Sequence, residues 1–261
     1  MIKKLSLVAL LLFLVGAIGS AVTYGSMNKE VAINDIKQIE NENIASIQVN
    51  VDNTDIEFIS VPNMDEARVE LIGTGTEKTI HDFSITEEGQ TLSISLRSES
   101  KKWFNFNFYT PALKLKIFAP EKMYSNVKVR GFSSDVLVQN LQSKTIDLIT
   151  DSGDVKLGNI TSEKMSVKTF SGDVNMEHVQ GGVVMVTESG DLNVLDAPLK
   201  SFNARTFSGN IKLENVKGTI TTNTVDGDVF ISTSEIKHAI NGKRDCLDSI
   251  GNSQWRYHSY K

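Results

Sequence analysis

The chain is short of the residues that specialise a small protein. It has one cysteine in 261 residues, Cys246, which excludes an internal disulfide framework. Four histidines, His81, His178, His238 and His258, stand in unrelated contexts without the spacing of a metal centre. Basic residues are no commoner than acids, 27 against 32, and the net charge of −5 argues against nucleic acid as a partner. No glycine motif sits between a strand and a helix, so neither a phosphate-cradling loop nor a nucleophile elbow is present. No cysteine stands near the end of the apolar N-terminal run, so lipid attachment of the lipoprotein type is not expected, and no sorting pentapeptide appears near the C-terminus.

What the chain has in quantity is a repeat. Anchored on Ser134, Gly153, Gly172, Gly190, Gly209 and Gly227, six copies follow one another at 18 or 19 residues. Two residues after each anchor stand Val136, Val155, Val174, Leu192, Ile211 and Val229. Four after stand Val138, Leu157, Met176, Val194, Leu213 and Ile231. Seven before the anchor come Val127, Ile146, Met165, Val183, Phe202 and Ile220; five before come Val129, Leu148, Val167, Met185, Ala204 and Thr222. Apolar residues alternating by two mark strands with one buried face, so each copy holds two short strands. Leu141, Ile160, Val179, Ala197 and Val216, seven after the anchor, mark a third inward turn.

A unit this short cannot bury a core alone, and copies must stack into one interior. The expected fold is therefore all-β: a single-stranded β-solenoid, β-helix-like, of about 18–19 residues per coil. Six coils at the strand spacing would span about 25 to 30 Å. Between the strands lies a punctuating motif such as Thr150, Asp151, Ser152, Gly153, Asp154. Here glycine is expected to supply a backbone angle closed to other residues, and Ser and Asp to bond local amides. The structural corners are then Gly153 and Asp154, Gly172 and Asp173, Gly190 and Asp191, Gly209 and Asn210, and Gly227 and Asp228.

Around the repeat, the boundaries follow from composition. Lys3 and Lys4 precede an apolar run from Leu5 to Ile18 and the small residues Gly19, Ser20 and Ala21. Residues 1–24 read as an export signal, cleaved after Ala21, or as an N-terminal membrane anchor. The first outcome gives a secreted protein and the second a membrane protein with its C-terminal domain outside the cytoplasm. Residues 25–43 read as a linker. Residues 44–125 alternate without glycine corners and read as an irregular N-terminal β region that caps the solenoid of residues 126–234. Residues 235–261 lose both period and corner and read as an atypical tail.

The phrase Leu113 to Pro120, followed by a strand and repeated Thr-x-Ser-Gly-Asp-Val units, resembles the exported bacterial β-repeat family labelled "putative adhesin". That group includes toastrack-like domains and LiaG-type membrane-anchored proteins of Gram-positive bacteria. The likeness runs from Ile44 to Ser232. It implies a cell-envelope protein, often encoded beside envelope-stress signalling genes, and offers no catalytic residue to carry over. The C-terminus departs from it, since such proteins usually keep the repeat running to the end.

A column of carboxylates invites calcium, which takes several oxygens. Yet each copy supplies one Asp at the common offset, and Phe170 and Phe207 stand where other copies place Asp151 and Glu188. Turn capping is the better reading. Asp154, Asp173 and Asp191 could serve a polysaccharide-acting enzyme of the β-helix type. An active site should break the periodicity, however, and these acids constitute it. The expectation is a chain with no catalytic residue, cofactor or metal. It is a membrane-tethered extracytoplasmic solenoid for interaction or envelope-stress sensing, or else a released or wall-associated adhesin for glycan or host surface. Its partner is an unknown envelope protein or glycan. The expected interaction surface is the aromatic segment, with Trp103 and Tyr109 facing out and Lys101 and Lys102 alongside to meet anionic headgroups.

Overall fold

The computed structural model describes residues 9–19, 30–97, 112–232, 236–241, 244–247 and 255–257. The proposed surface of Lys101, Lys102, Trp103 and Tyr109 lies outside them. Residues 9–19 form a helix; among the described residues from Val31 onward, all is strand and turn except a short helix at Glu77–Asp82. Branched and apolar residues at every second position make strands with one dry face, and the buried residues of all of them join in one continuous core.

The chain is a β-solenoid. Its N-terminal strands are β1 (Val31–Ile39), β2 (Ser46–Val51), β3 (Asp55–Val61), β4 (Ala67–Gly75), β5 (Phe83–Glu88), β6 (Thr91–Leu96) and β7 (Ala112–Pro120). Six regular coils follow, beginning with β8 (Met123–Ser133), β9 (Val136–Gln139) and β10 (Gln142–Ser152). Next come β11 (Val155–Ser171), β12 (Val174–Ser189), β13 (Leu192–Leu195), β14 (Pro198–Ser208), β15 (Ile211–Glu214), β16 (Lys217–Asp226) and β17 (Asp228–Ser232). One parallel ladder runs through the long segments, with Val127 beside Ile146, Ile146 beside Met165, Met165 beside Val183, and so on to Ile220. A second runs through the short segments, from Val136 through Val155, Val174, Leu192 and Ile211 to Val229.

Each coil bends at three places. The first is the glycine corner. The second is a left-handed residue six positions later, Asn140, Asn159, His178, Asp196 or Asn215, with φ between 50° and 58°. Asn and Asp tolerate that conformation because their short polar side chains offset its steric cost. The residue after it, Leu141 through Val216, turns inward and is fully buried. The third bend follows at once, where Ser143 and Ser162 are buried and each hydroxyl donates to the carbonyl two residues on, at 2.9 Å and 3.0 Å.

The N-terminal region enters the same stack out of chain order. β2 lies between β6 and β8, and β3 between β7 and β9, all parallel, so two further coil levels sit below the first regular one. Antiparallel strands then close that end: β5 on β6, and β4 on β7 with β1 on β4. Tyr124 fills the junction as one of the largest fully buried side chains; its hydroxyl donates to the Pro120 carbonyl at 2.9 Å, and burial pushes its pKa up.

Two expectations are corrected here. Val31–Ile39, expected in a linker, is a nine-residue strand paired along its whole length with β4. Its charges hid it, because an edge strand needs only Ile33 and Ile39 fully inside, and the half-exposed Asp35 and Lys37 between them pair with each other. The tail also continues the coil. β18 (Ile236–Asn241), β19 (Arg244–Leu247) and β20 (Trp255–Tyr257) extend the two ladders, placing His238 beside Ile220, Cys246 beside Phe230 and Trp255 beside His238. The parallel ladder is made by backbone groups, so it outlasts the corner motif that announced it.

At Gly153 the expected backbone angle is present, with φ of 153°, whereas the later corners need glycine for a different reason. A Cβ on Gly172 would stand 2.1 Å from the carbonyl oxygen of Gly153, and one on Gly190 equally close to that of Gly172. The same clash recurs at Gly209 and Gly227. The backbones of successive coils touch there, and no side chain fits between them. Gly172→Ala is therefore expected to cost about 1–3 kcal/mol through overpacking against immovable backbone, measured as a fall in the denaturation midpoint. An unchanged midpoint would show that the corner can open.

Candidate functional site

Three surfaces of the solenoid carry patterned polar chemistry, and the first is the acid column at the glycine corner. The Asp154 amide donates to Asp135 Oδ1 at 2.9 Å, Asp173 to Asp154 at 3.0 Å, and Asp191 to Asp173 at 2.8 Å. Asn210 donates to Asp191 at 2.7 Å and Asp228 to Asn210 Oδ1 at 2.9 Å. The ladder even extends below the repeat, where the Asp135 amide donates to Asp55 at 3.2 Å. Each side-chain oxygen thus caps the backbone of the next coil, and a carboxylate and an amide serve equally. Beneath it runs a column of buried threonines, of which Thr150, Thr206 and Thr224 donate to the corner carbonyls of Ser134, Gly190 and Gly209. What looked like a row of ligands or catalytic acids is a hydrogen-bonded seam.

The second surface is the face of the short strands. A shallow open groove of about 440 Å3 runs along it, lined by Lys156, Asn175, Glu177, Leu195 and Lys212 among others. Asn193 donates to Asn175 Oδ1 across two coils at 3.2 Å. At its margin the second corner brings Glu177, His178 and Asp196 together, their ligand atoms within 4.8 Å of one another. His178 Nδ1 lies 3.6 Å from Glu177 Oε1, and Nε2 4.0 Å from Asp196 Oδ2. The residues carry the donor types of a divalent-cation site, one imidazole and two carboxylates. Glu177 and His178 are exposed and Asp196 is half-buried, and His178 and Asp196 are already accounted for by the left-handed bend. Sequence spacing alone missed the grouping because Glu177 and Asp196 meet across a coil boundary, 19 residues apart.

The third surface is the outward side of the long strands, where Phe132, Phe170 and Phe207 are exposed just ahead of the corner. Nothing in the core requires them there. These three aromatic residues are displayed by the repeat itself.

A family model, Toastrack DUF4097, matches residues 44–243. The chain belongs to the toastrack DUF4097 family. Comparison with curated proteins finds no match. Among solved structures, the chain is similar to a "putative lipid binding protein" from Parabacteroides distasonis, at 18% identity and a TM-score of 0.55 over 88% of this chain and 97% of that one. It is similar also to a "putative adhesin" from the same organism, at 15% identity and a TM-score of 0.54 over 89% and 95%. A further "putative adhesin", from Bacteroides fragilis, aligns at 15% identity and a TM-score of 0.49 over 89% and 98%. At these identities the shared property is the toastrack solenoid.

Each corner carboxylate spends one oxygen on the amide of the next coil, and each coil adds one side-chain oxygen-bearing residue to the column. Added calcium, or a chelator, is expected to leave the melting temperature unchanged; a calcium-dependent rise would show that the seam binds metal. Within the seam, Asp173→Asn should be close to neutral, as Asn210 already is, whereas Asp173→Ala should cost about 1 kcal/mol by leaving the Asp191 amide unpaired.

Proposed function

We propose that this toastrack protein is a non-catalytic module of the cell envelope, tethered to the membrane by its N-terminal segment and presenting the solenoid outside the cytoplasm to bind a partner or report envelope stress. The observation that carries the reading is a contrast between the two ends of the chain. Residues 9–19 are a helix whose Leu10, Leu11, Leu12, Phe13, Leu14, Val15 and Ile18 are all exposed, an apolar surface that calls for lipid. The solenoid, by contrast, commits its acids to its own backbone and leaves no carboxylate of that column in a unique setting. Catalysis needs one residue placed unlike its neighbours, and the column offers the same placement at every coil.

Among the described residues, no helix is long and apolar enough to cross a membrane; the tether rests on the apolar run of the sequence, Leu5 to Val22, and on its two preceding lysines. The names of the structural relatives, adhesin and lipid-binding protein, fit a binding role. A second reading follows from Ala21: if a peptidase cuts there, the same solenoid is a released or wall-associated adhesin for glycan or host surface.

Fractionation with intact-mass measurement separates the two. The tethered protein is expected in the membrane fraction with its N-terminus intact, and its solenoid should be lost to protease added outside intact cells. A soluble product beginning at Val22 would replace the tether with the released adhesin. Recovery of an uncut solenoid inside the cytoplasm would overturn both.

A further inference from the structure

The outward columns of the long strands carry a period twice that of the fold. Arg130, Ile149, Lys168, Val186 and Arg205 are neighbours in successive coils, held in register by the parallel ladder. Two residues on, the outward neighbours are Phe132, Asp151, Phe170, Glu188 and Phe207. Odd coils therefore read cation then phenylalanine, and even coils read aliphatic then acid. The core does not impose this, because all five coils bury the same pattern beneath it. The phenylalanines are 57%, 63% and 55% exposed, and both acids are exposed. Among the described residues, none of these cations or acids stands in an ion pair within 4 Å. Single exposed apolar residues are ordinary; three at every second coil, each with a cation beside it, form a comb.

We propose that this comb binds an extended β-linked polysaccharide that carries one carboxylate per disaccharide, lying along the solenoid axis. Two coil spacings are about 9.6 Å, which matches the length over which such a glycan presents the same sugar face again. Each phenylalanine offers a flat ring whose electron-rich face suits the C–H bonds on the apolar face of a sugar. The cation beside it meets the carboxylate of that same unit, with Arg130 and Arg205 able to do so through paired hydrogen bonds. Asp151 and Glu188 fall on the intervening, uncharged sugar, where a carboxylate accepts from hydroxyl groups. The sixth coil, with Asn223 and Val225 in the two columns, ends the pattern, so the comb spans three teeth and about five sugars.

The alternation also selects against other occupants. A surface or polymer with negative charge at every unit, such as an anionic membrane, would set some of its charge against Asp151 and Glu188, at a cost. A polyproline helix repeats every three residues, about 9.3 Å, and so shares the spacing, but it has no use for a cation at each tooth. The proposal rests on the reading of the chain as an external binding module and adds its ligand.

The test uses the full-length protein and fluorescently labelled hyaluronan octasaccharide, an alternating glycan with one carboxylate per disaccharide, read by anisotropy. Saturable binding is expected, weakened about tenfold or more by Phe170→Ala and likewise by Lys168→Ala, each with an unchanged melting temperature because the side chains are exposed. A polygalacturonate octamer, charged at every sugar, should bind at least about tenfold more weakly than hyaluronan, and the double variant Asp151→Lys with Glu188→Lys should remove that preference. Absence of hyaluronan binding, equal binding of polygalacturonate, or binding indifferent to both single variants would overturn the proposal. So would a polyproline peptide that binds the comb in its place. None of those results would alter where the protein is found on fractionation, so the envelope reading stands or falls separately.

Discussion

The regular coils depend on how closely two backbones can approach at the glycine corner. Where Gly153, Gly172, Gly190, Gly209 and Gly227 lie on one another, a methyl group would sit about an ångström inside the contact distance. That contact sets the position of each coil on the last. With the corners in touch, the long strands and short strands fall into their ladders, the Asp oxygens come within reach of the next amide, and the apolar columns close over one core. The hydrogen bonds of the seam are individually modest. Their value lies in satisfying amides at a bend where the ladder geometry is interrupted.

Much of this was legible in the sequence because inward positions must be apolar at every coil, and they recur in phase from Val127 to Ile231. The corner residues were legible for the same reason, although their physical role was not: glycine could mean either an unusual φ or a close approach, and only the stacked coordinates distinguish them. The second corner was equally written in the chain, as Asn140, Asn159, His178, Asp196 and Asn215 at one offset. Three different residue types do not form a recognisable motif until their common left-handed conformation is known. The order of the N-terminal strands was out of reach altogether. β2 pairs with β6 and β8, which are far along the chain, and nothing local in Ser46–Val51 specifies either partner.

Both ends depart from the sequence expectation for one reason. A side-chain pattern announces a strand only where one face must be dry on schedule. β1 covers the end of the stack with few inward residues, and β18 to β20 follow a ladder already laid down by β16 and β17. In a solenoid each new coil inherits a template of unpaired backbone groups, so the fold can run on after the signature that began it has faded.

The same inheritance explains where functional variation can reside. Inward positions and the glycine seam are constrained at every coil, because a misfit at one coil is passed to both neighbours. Outward positions carry no such load, and a period that differs from the coil period there cannot be a by-product of packing. The alternation of Arg130 and Phe132, Ile149 and Asp151, Lys168 and Phe170, Val186 and Glu188, Arg205 and Phe207 is a pattern of that kind. The backbone repeats every coil while this part of the surface repeats every second coil, a longer repeat that the proposed glycan would answer. A linear partner with its own two-unit period supplies that answer, since a partner uniform along its length would gain nothing from the alternation.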